Sequence, residues 1–280
     1  MIALDLDDTL LRGDLSISDY TRATLRNCCD RGIYVVLASG RSFKAMKPTI
    51  DSLGINKSEY GRYIICQNGS VVVDTHTGKE IMSTPIPVDC VRDGVQFALE
   101  NGVPFEIYRN EVIYIPFTNE YSLLEAKLTG LPYVVTDQIT SMIDGTDTKF
   151  VIPAEPAKVS ELYPKLVELC GDRASVFTSK PFFLEMLSKD SGKGQAILWL
   201  SSRLGIDQKN TMAFGDSMND ETMLRMVNHS VLMKNGLDVL RSVAKYVTDY
   251  TNEEDGVARF IDVYFLNGTT IDLSTSPREP

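Results

Sequence analysis

Two aspartates one residue apart, Asp5 and Asp7, follow a short apolar run, Met1-Ile2-Ala3-Leu4. An unbroken apolar run of that length reads as a strand buried on both faces. Open α/β sheets bind ligands outside the carboxyl ends of such strands. In an extended chain residues i and i+2 point the same way, so the two carboxylates are expected to converge on one spot. Carboxylates that close repel unless a cation lies between them or one keeps a proton. Phosphoryl transfer suits the arrangement: one carboxylate attacks phosphorus, the other passes a proton, and a hard cation such as Mg²⁺ takes oxygen ligands from both. An acidic turn after a strand is the plainer account, and this stretch alone leaves both open.

Three further places carry what a phosphate or its cation needs. Ser39-Gly40-Arg41 ends the apolar run at 33–38 and offers hydroxyl and amide donors. Lys193, between Gly192 and Gly194, supplies positive charge. Gly215-Asp216-Ser217-Met218-Asn219-Asp220 follows the run at 211–214, and its carboxylates beside Asp5 would require a divalent cation. Singly these are a turn, a surface lysine and a loop. What joins them is placement, each at a strand end or a helix start facing one rim.

The elements that must position them alternate. A helix is expected at 19–31, introduced by Ser16-Ile17-Ser18 and stopped by Gly32, then a strand at 33–38, a helix at 43–53 and a strand at 63–66 ending in Gln67-Asn68-Gly69. Strand–helix repetition of this kind builds a parallel, doubly wound α/β sheet. A small hairpin at 71–73 and 80–82 closes this half. From Pro85 to about Leu187 the order is less regular: helices at 89–100, 121–128 and 156–169, with strands at 105–108, 112–115, 148–152, 175–178 and 182–186. Paired antiparallel strands with helices between them suggest an α+β insert, large enough for a separate small domain. Alternation then resumes, with helices at 193–204, 221–227 and 256–265 and strands at 211–214, 230–233 and 246–248. The Ser/Thr/Pro-rich tail after Asn267 is expected to be loose.

At 280 residues two domains are the first expectation. The division is a discontinuous core, 1–83 and 188–280, around an insert at 84–187. A net charge of −10 argues against nucleic acid or an anionic membrane as the main partner. Five cysteines without CxxC spacing and two distant histidines disfavour zinc. Reduced, buried thiols in a cytoplasmic protein are the simpler account. The start reads as a core strand rather than a signal peptide, and no apolar run nears the roughly 18 residues of a membrane span. No GxGxxG follows the first strand and no Walker A glycine pattern surrounds Lys193, which disfavours a nucleotide-binding Rossmann protein.

The set Asp5-x-Asp7-x-Thr9, Ser39-Gly40-Arg41, Lys193-Gly194 and Gly215-Asp216-Ser217-x-Asn219-Asp220 resembles, in order, motifs I to IV of the haloacid dehalogenase-like hydrolases. Within them the chain is similar to the Cof-type phosphatases, whose large cap lies between motifs II and III. Asn68-Gly69 and Glu254-Asp255-Gly256-Val257 also match that subgroup, and the resemblance spans about 1–265. It implies a Rossmann-like core with an inserted α+β cap. It implies Asp5 as nucleophile, forming an aspartyl phosphate, and Asp7 as general acid and base. Asp5, the main-chain carbonyl of Asp7 and Asp216 would hold Mg²⁺. The Leu6 and Gly40 amides, the Ser39 hydroxyl, Lys193 and Asn219 would grip phosphate, with Asn68 in support and Asp220 orienting Lys193 or metal waters. Met233-Lys234-Asn235-Gly236 departs from the subgroup's usual Gly-Asn-Ala.

Other residues read as structural: Asp8 solvated, Thr9 bracing the turn, His76, His229, Cys28 and Cys29 filling surface or core. Arg41 could reach substrate or cap the following helix, and Arg109 and Lys149 are candidates for reading the leaving group. The expected activity is a Mg²⁺-dependent phosphatase on a small phosphorylated metabolite, such as a sugar phosphate. A phosphomutase on the same scaffold and a catalytically idle binding protein are the alternatives. The presence of Asp5, Asp7 and Lys193 argues against the last. Oligomeric state is not legible.

Overall fold

The computed structural model describes residues 1–266, so the loose tail expected after Asn267 lies outside the described residues. The first half runs β1 (Ile2–Leu4), α1 (Asp19–Asp30), β2 (Val35–Ala38), α2 (Phe43–Leu53), β3 (Tyr63–Cys66), β4 (Val71–Asp74) and β5 (Lys79–Ser83). The middle contains α3 (Val88–Glu100), β6 (Glu106–Arg109), β7 (Val112–Ile115), α4 (Glu120–Thr129), β8 (Tyr133–Val135), α5 (Ile139–Met142), β9 (Phe150–Pro153), α6 (Pro156–Cys170), β10 (Ala174–Lys180) and β11 (Phe183–Ser188). The last part adds α7 (Lys193–Arg203), β12 (Met212–Gly215), α8 (Glu221–Met226), β13 (His229–Leu232), β14 (Tyr246–Val247) and α9 (Gly256–Ile261).

Two sheets result. The first has the order β14-β13-β12-β1-β2-β3-β4-β5 and the second β10-β11-β9-β6-β7-β8. In the first sheet β1 is central and parallel to both β12 and β2, which is why its three residues are all apolar and buried. Pairing stays parallel from β14 to β3 and turns antiparallel at β4 and β5. One apolar layer joins α1, α2 and α9 to one sheet face, and α7 and α8 cover the other. This is the expected doubly wound α/β architecture.

The helix boundaries follow local signals. Ser18 caps α1 by accepting from the Thr21 amide at 3.0 Å, and Gly32, at φ +80°, supplies the left-handed residue that turns the chain into β2. Two elements have no counterpart in the sequence reading, β8 and α5. Tyr133-Val134-Val135 is an exposed edge strand lacking hydrophobic alternation, and it pairs parallel to β7, so the second sheet is not wholly antiparallel. The expected last helix ends its α-helical part at Ile261 and continues as a π-helical turn. The five cysteines are free and buried, as expected. Among the described residues no helix is long and apolar enough to cross a membrane.

One face of the second sheet packs on α3 and α6 through Phe105, Ile107, Phe150, Ile152, Leu184 and Met186. The other face holds a buried polar group of Glu106, Glu125, Glu185, Tyr108 and Lys149. The Tyr108 hydroxyl donates to Glu106 Oε2 at 2.8 Å and lies 2.9 Å from Glu125 Oε1, while Lys149 Nζ is 3.2 Å from Glu185. Burial, with the charge of Glu125 adding to it, holds the Glu106 carboxyl well above the ordinary range, and its Oε1 has no hydrogen-bond partner. A raised folded-state value contributes stability that is present below the ordinary 4.5 and lost as pH rises toward that value. Glu106→Gln is therefore expected to melt like the parent near pH 4.5 and above it near pH 8. Thermal melts at the two pH values check this. Equal melting near pH 8 would mean that the carboxylate is ionised and matched by Lys149.

Candidate active site

β1 carries the chain straight to Asp5, whose amide donates to the Phe214 carbonyl at 3.1 Å and so extends the ladder by one residue. The strand then gives way to a tight turn, Leu6–Leu10, closed by the Leu11 amide on the Leu6 carbonyl at 2.8 Å. Asp8 occupies the left-handed region at φ 59°, which short acidic side chains tolerate better than most. Buried Leu6, Leu10 and Leu11 anchor the turn. Because the extended ladder ends at Asp5, the two aspartates do not converge as expected. Asp5 is buried against Lys193, whereas the Asp7 side chain is 50 % exposed and lies in the fork of Arg41. Nor does Arg41 cap α2: Ser42 does, by accepting from the Ala45 amide.

Lys193 is fully buried at the start of α7, and its Nζ donates to Asp5 Oδ1 and to Asp220 Oδ1, the latter at 2.6 Å. Burial alone would lower its pKa, but the charges of Asp220 and Asp5 outweigh it and raise the value. The lysine is held as a cation. Asp220 Oδ2 accepts from the Asp216 and Ser217 amides at 2.8 and 3.1 Å, so both its oxygens are engaged in orienting the loop and Lys193. Gly215 leaves room for that fold-back, since a β-carbon there would lie 2.5 Å from Asp220 Cβ.

Carboxylate oxygens of Asp5, Asp216 and Asp220 lie within 4.8 Å of one another. Burial, then the charge of Asp220, pushes the Asp5 carboxyl well above the ordinary range. The same two causes push Asp216 up to about 7, with the Thr9 hydroxyl, which donates to Asp216 Oδ1 at 2.7 Å, opposing them. Three buried carboxylates facing one lysine are short of positive charge, and hard oxygen donors of this kind suit a divalent cation such as Mg²⁺. Asp220 joins Asp5 and Asp216 in this cluster, but its committed oxygens leave Asp5 and Asp216 as the better side-chain ligands. Asp7 could contribute only its main-chain carbonyl, its carboxylate being on Arg41.

The remaining expected residues form the rim. Ser39 is buried, and its Oγ accepts from the Arg41 amide at 3.2 Å. Asn68 is buried; its Oδ1 accepts from Asn219 Nδ2 at 3.2 Å, and its side chain fills the space over Gly40, where a β-carbon would meet it at 3.0 Å. Asn219 Oδ1 in turn accepts from Ser217 Oγ at 2.7 Å. Gly69, at φ +96°, lets this loop lie on the entry to α7: a β-carbon there would sit 2.1 Å from the Gly192 carbonyl oxygen.

The partners of several residues here escaped sequence reasoning. In the departing stretch Asn235, rather than Lys234, reaches the turn, donating to the Asp8 carbonyl at 2.7 Å and accepting from the Asn252 amide at 3.1 Å. Asn252 also donates to the Leu11 carbonyl at 2.8 Å. Asp255 is clasped by Arg12 and accepts from Thr21, tying α9 to α1 and the turn. Arg109 and Lys149 do not stand free to meet a leaving group. Arg109 is bound by Asp144 and Asp147, and Lys149 is buried between Glu185 and Glu125. No local pattern announces such distant pairings.

Comparison with known proteins bears on this geometry. A Streptococcus pyogenes protein, named as a candidate phosphatase, is 31% identical over 271 residues, which cover 95% of this chain and 98% of its own. The 5-amino-6-(5-phospho-D-ribitylamino)uracil phosphatase of Bacillus subtilis is 29% identical, with 93% and 96% covered. The crystal structure of a haloacid dehalogenase-like hydrolase from Bacteroides thetaiotaomicron superposes with a TM-score of 0.84 at 28% identity, over 94% of this chain and 98% of that one. A family model described as haloacid dehalogenase-like hydrolase matches residues 2–261, spanning both stretches of the first sheet and everything between them, and the chain belongs to that family.

Proposed function

We propose that this protein is a Mg²⁺-dependent phosphatase that hydrolyses a small phosphorylated metabolite, a sugar phosphate or similar, through a phosphoryl group carried transiently on Asp5. The observation that supports this most is the buried lysine shared by Asp5 and Asp220, with Asp216 in the same cluster. A nucleophile is thereby fixed at the end of a core strand, beside a buried cation that a phosphate would meet there. The named activity of the Bacillus subtilis relative supports a small phosphorylated substrate.

In this reading Asp5 attacks phosphorus as its leaving-group bond breaks, and Asp7, swung off Arg41 and protonated, delivers the proton to the departing oxygen. Asp7 then takes a proton from the water that attacks the aspartyl phosphate, releasing inorganic phosphate and restoring Asp5. Ser39, Lys193, Asn219 and the amides of Leu6 and Gly40 hold the phosphoryl oxygens, with Asn68 positioning Asn219. Asp5, Asp216 and the Asp7 carbonyl would hold Mg²⁺, which when bound favours ionised Asp5 and offsets phosphate charge. Among the described residues, those of the 1–83 and 188–280 stretches form the core in this scheme. Residues 84–187 form a cap that closes over the site and excludes water from the first step.

Phosphate release from a panel of phosphorylated metabolites tests the reading and separates hydrolysis from phosphoryl return to substrate in a mutase. EDTA is expected to abolish release and Mg²⁺ to restore it. Ca²⁺ should restore little, because its larger and looser oxygen shell disfavours a tight in-line geometry. Undiminished release in EDTA would overturn the metal assignment.

A further inference from the structure

The turn between β6 and β7 consists of Asn110 and Glu111, both with positive φ, 49° and 59°. Mirror-image turns of this kind suit a tight hairpin, but their second position favours glycine. A glutamate there is strained, since its Cβ crowds the backbone in the left-handed region. The strained side chain leaves its own sheet. Ser42 Oγ, at the start of α2, donates to Glu111 Oε2 at 2.5 Å, and Glu111 is half-buried by that contact. Ser42 directly follows Arg41, which holds Asp7, and lies three residues after Ser39. A second bridge joins the same two regions: Thr148 Oγ1 donates to Gln67 Oε1 at 2.5 Å, next to Asn68. The hairpin tip is thus pinned beside the candidate active site.

The charge delivered there is negative. Arg109 and Lys149, the insert cations singled out in the sequence, are engaged by their own carboxylate partners. Burial and the charge of Glu111 together raise the nearby Glu80. A carboxylate at this rim accepts charge-assisted hydrogen bonds from hydroxyl groups and repels a second phosphate or carboxylate.

We propose that Glu111 sets the leaving-group specificity of this phosphatase, selecting uncharged, hydroxyl-rich leaving groups, as in sugar or polyol monophosphates, against those with a second anionic group. The proposal rests on the phosphatase reading and deepens it. In this assignment Oε2 stays on Ser42 and Oε1 is the oxygen that accepts from the substrate's hydroxyls.

The test compares kcat/KM for a hexose monophosphate and a hexose bisphosphate, with an activated aryl phosphate as reference, in the parent, Glu111→Gln and Glu111→Lys. The parent is expected to prefer the monophosphate by about tenfold or more, a ratio one nearby unit charge can produce. Glu111→Lys should lower that ratio at least about tenfold, chiefly through KM for the bisphosphate. Glu111→Gln keeps the bond to Ser42 without the charge and should lower the ratio by about threefold. It carries the test if the lysine variant does not fold. A ratio unchanged in the folded variants, alongside brisk aryl phosphate turnover, would overturn the role of Glu111 alone. No release from any substrate, aryl phosphate included, would overturn the phosphatase reading and this proposal with it.

Discussion

Asp7→Asn is expected to release about one equivalent of phenol per active site from an activated aryl phosphate and then stop. The first step on that substrate needs the ionised Asp5 carboxylate but no proton donor, because the leaving group departs unaided. Breakdown of the aspartyl phosphate needs a base for water, which asparagine cannot supply. On a sugar phosphate the departing alkoxide also needs a proton, so the variant should fail there by roughly 10²–10⁴-fold for each lost proton transfer. In the fold the Arg41 guanidinium holds the Asp7 carboxylate, with Nε 3.0 Å from Oδ2, and asparagine keeps the shape while losing the proton chemistry. Asp5→Asn should give neither burst nor adduct. Intact-protein mass spectrometry after rapid quench reads the phosphoryl group directly. Near-parental turnover of metabolites by Asp7→Asn, or an adduct away from Asp5, would overturn the division of labour.

Lys193→Met is expected to carry the largest cost in stability of any substitution at the site. The lysine is fully buried and is the shared partner of Asp5 and Asp220. Methionine matches its length and packs as well, so what is lost is the charge. Breaking a buried ion pair from one side leaves uncompensated carboxylates and typically costs about 3–5 kcal/mol. Phosphate release should fall at the same time, since the phosphoryl oxygens lose their cation. Lys193→Arg is not expected to rescue either property, because a planar guanidinium cannot occupy the point between two carboxylates that an ammonium fills. Urea unfolding in EDTA measures the first effect. A loss below about 1 kcal/mol would show that the carboxylates are protonated in the parent and need no lysine.

Much of the site's placement was legible without coordinates. Asp5, Ser39, Lys193 and Asp216 each stand where a run of buried residues ends or a helix begins. Such ends are written in short-range patterns: an apolar tetrad, a Ser-Gly, a Gly-Asp. The doubly wound sheet followed from the same source, since alternating strands and amphipathic helices constrain their own order. The strand at Tyr133–Val135 was missed because an exposed edge strand has no buried face to impose alternation.

Which side chain meets which was decided only in three dimensions. Asp5 and Lys193 are 188 residues apart, and Asn68 and Asn219 are 151 apart. Arg41 looked equally able to cap α2 or to reach substrate; in the fold Ser42 makes the cap and Arg41 holds Asp7. Arg109 and Lys149 looked like free cations of the insert until Asp144, Asp147, Glu185 and Glu125 were seen to surround them. Glu111 was an unremarked turn residue until Ser42 appeared opposite it. Strand ends and helix starts arise from interactions a few residues long, so a single chain displays them. The partner of a buried or bridging charge is instead chosen by the packing of whole elements, because desolvation penalises every unpaired arrangement and only the tertiary structure brings the compensating group within reach.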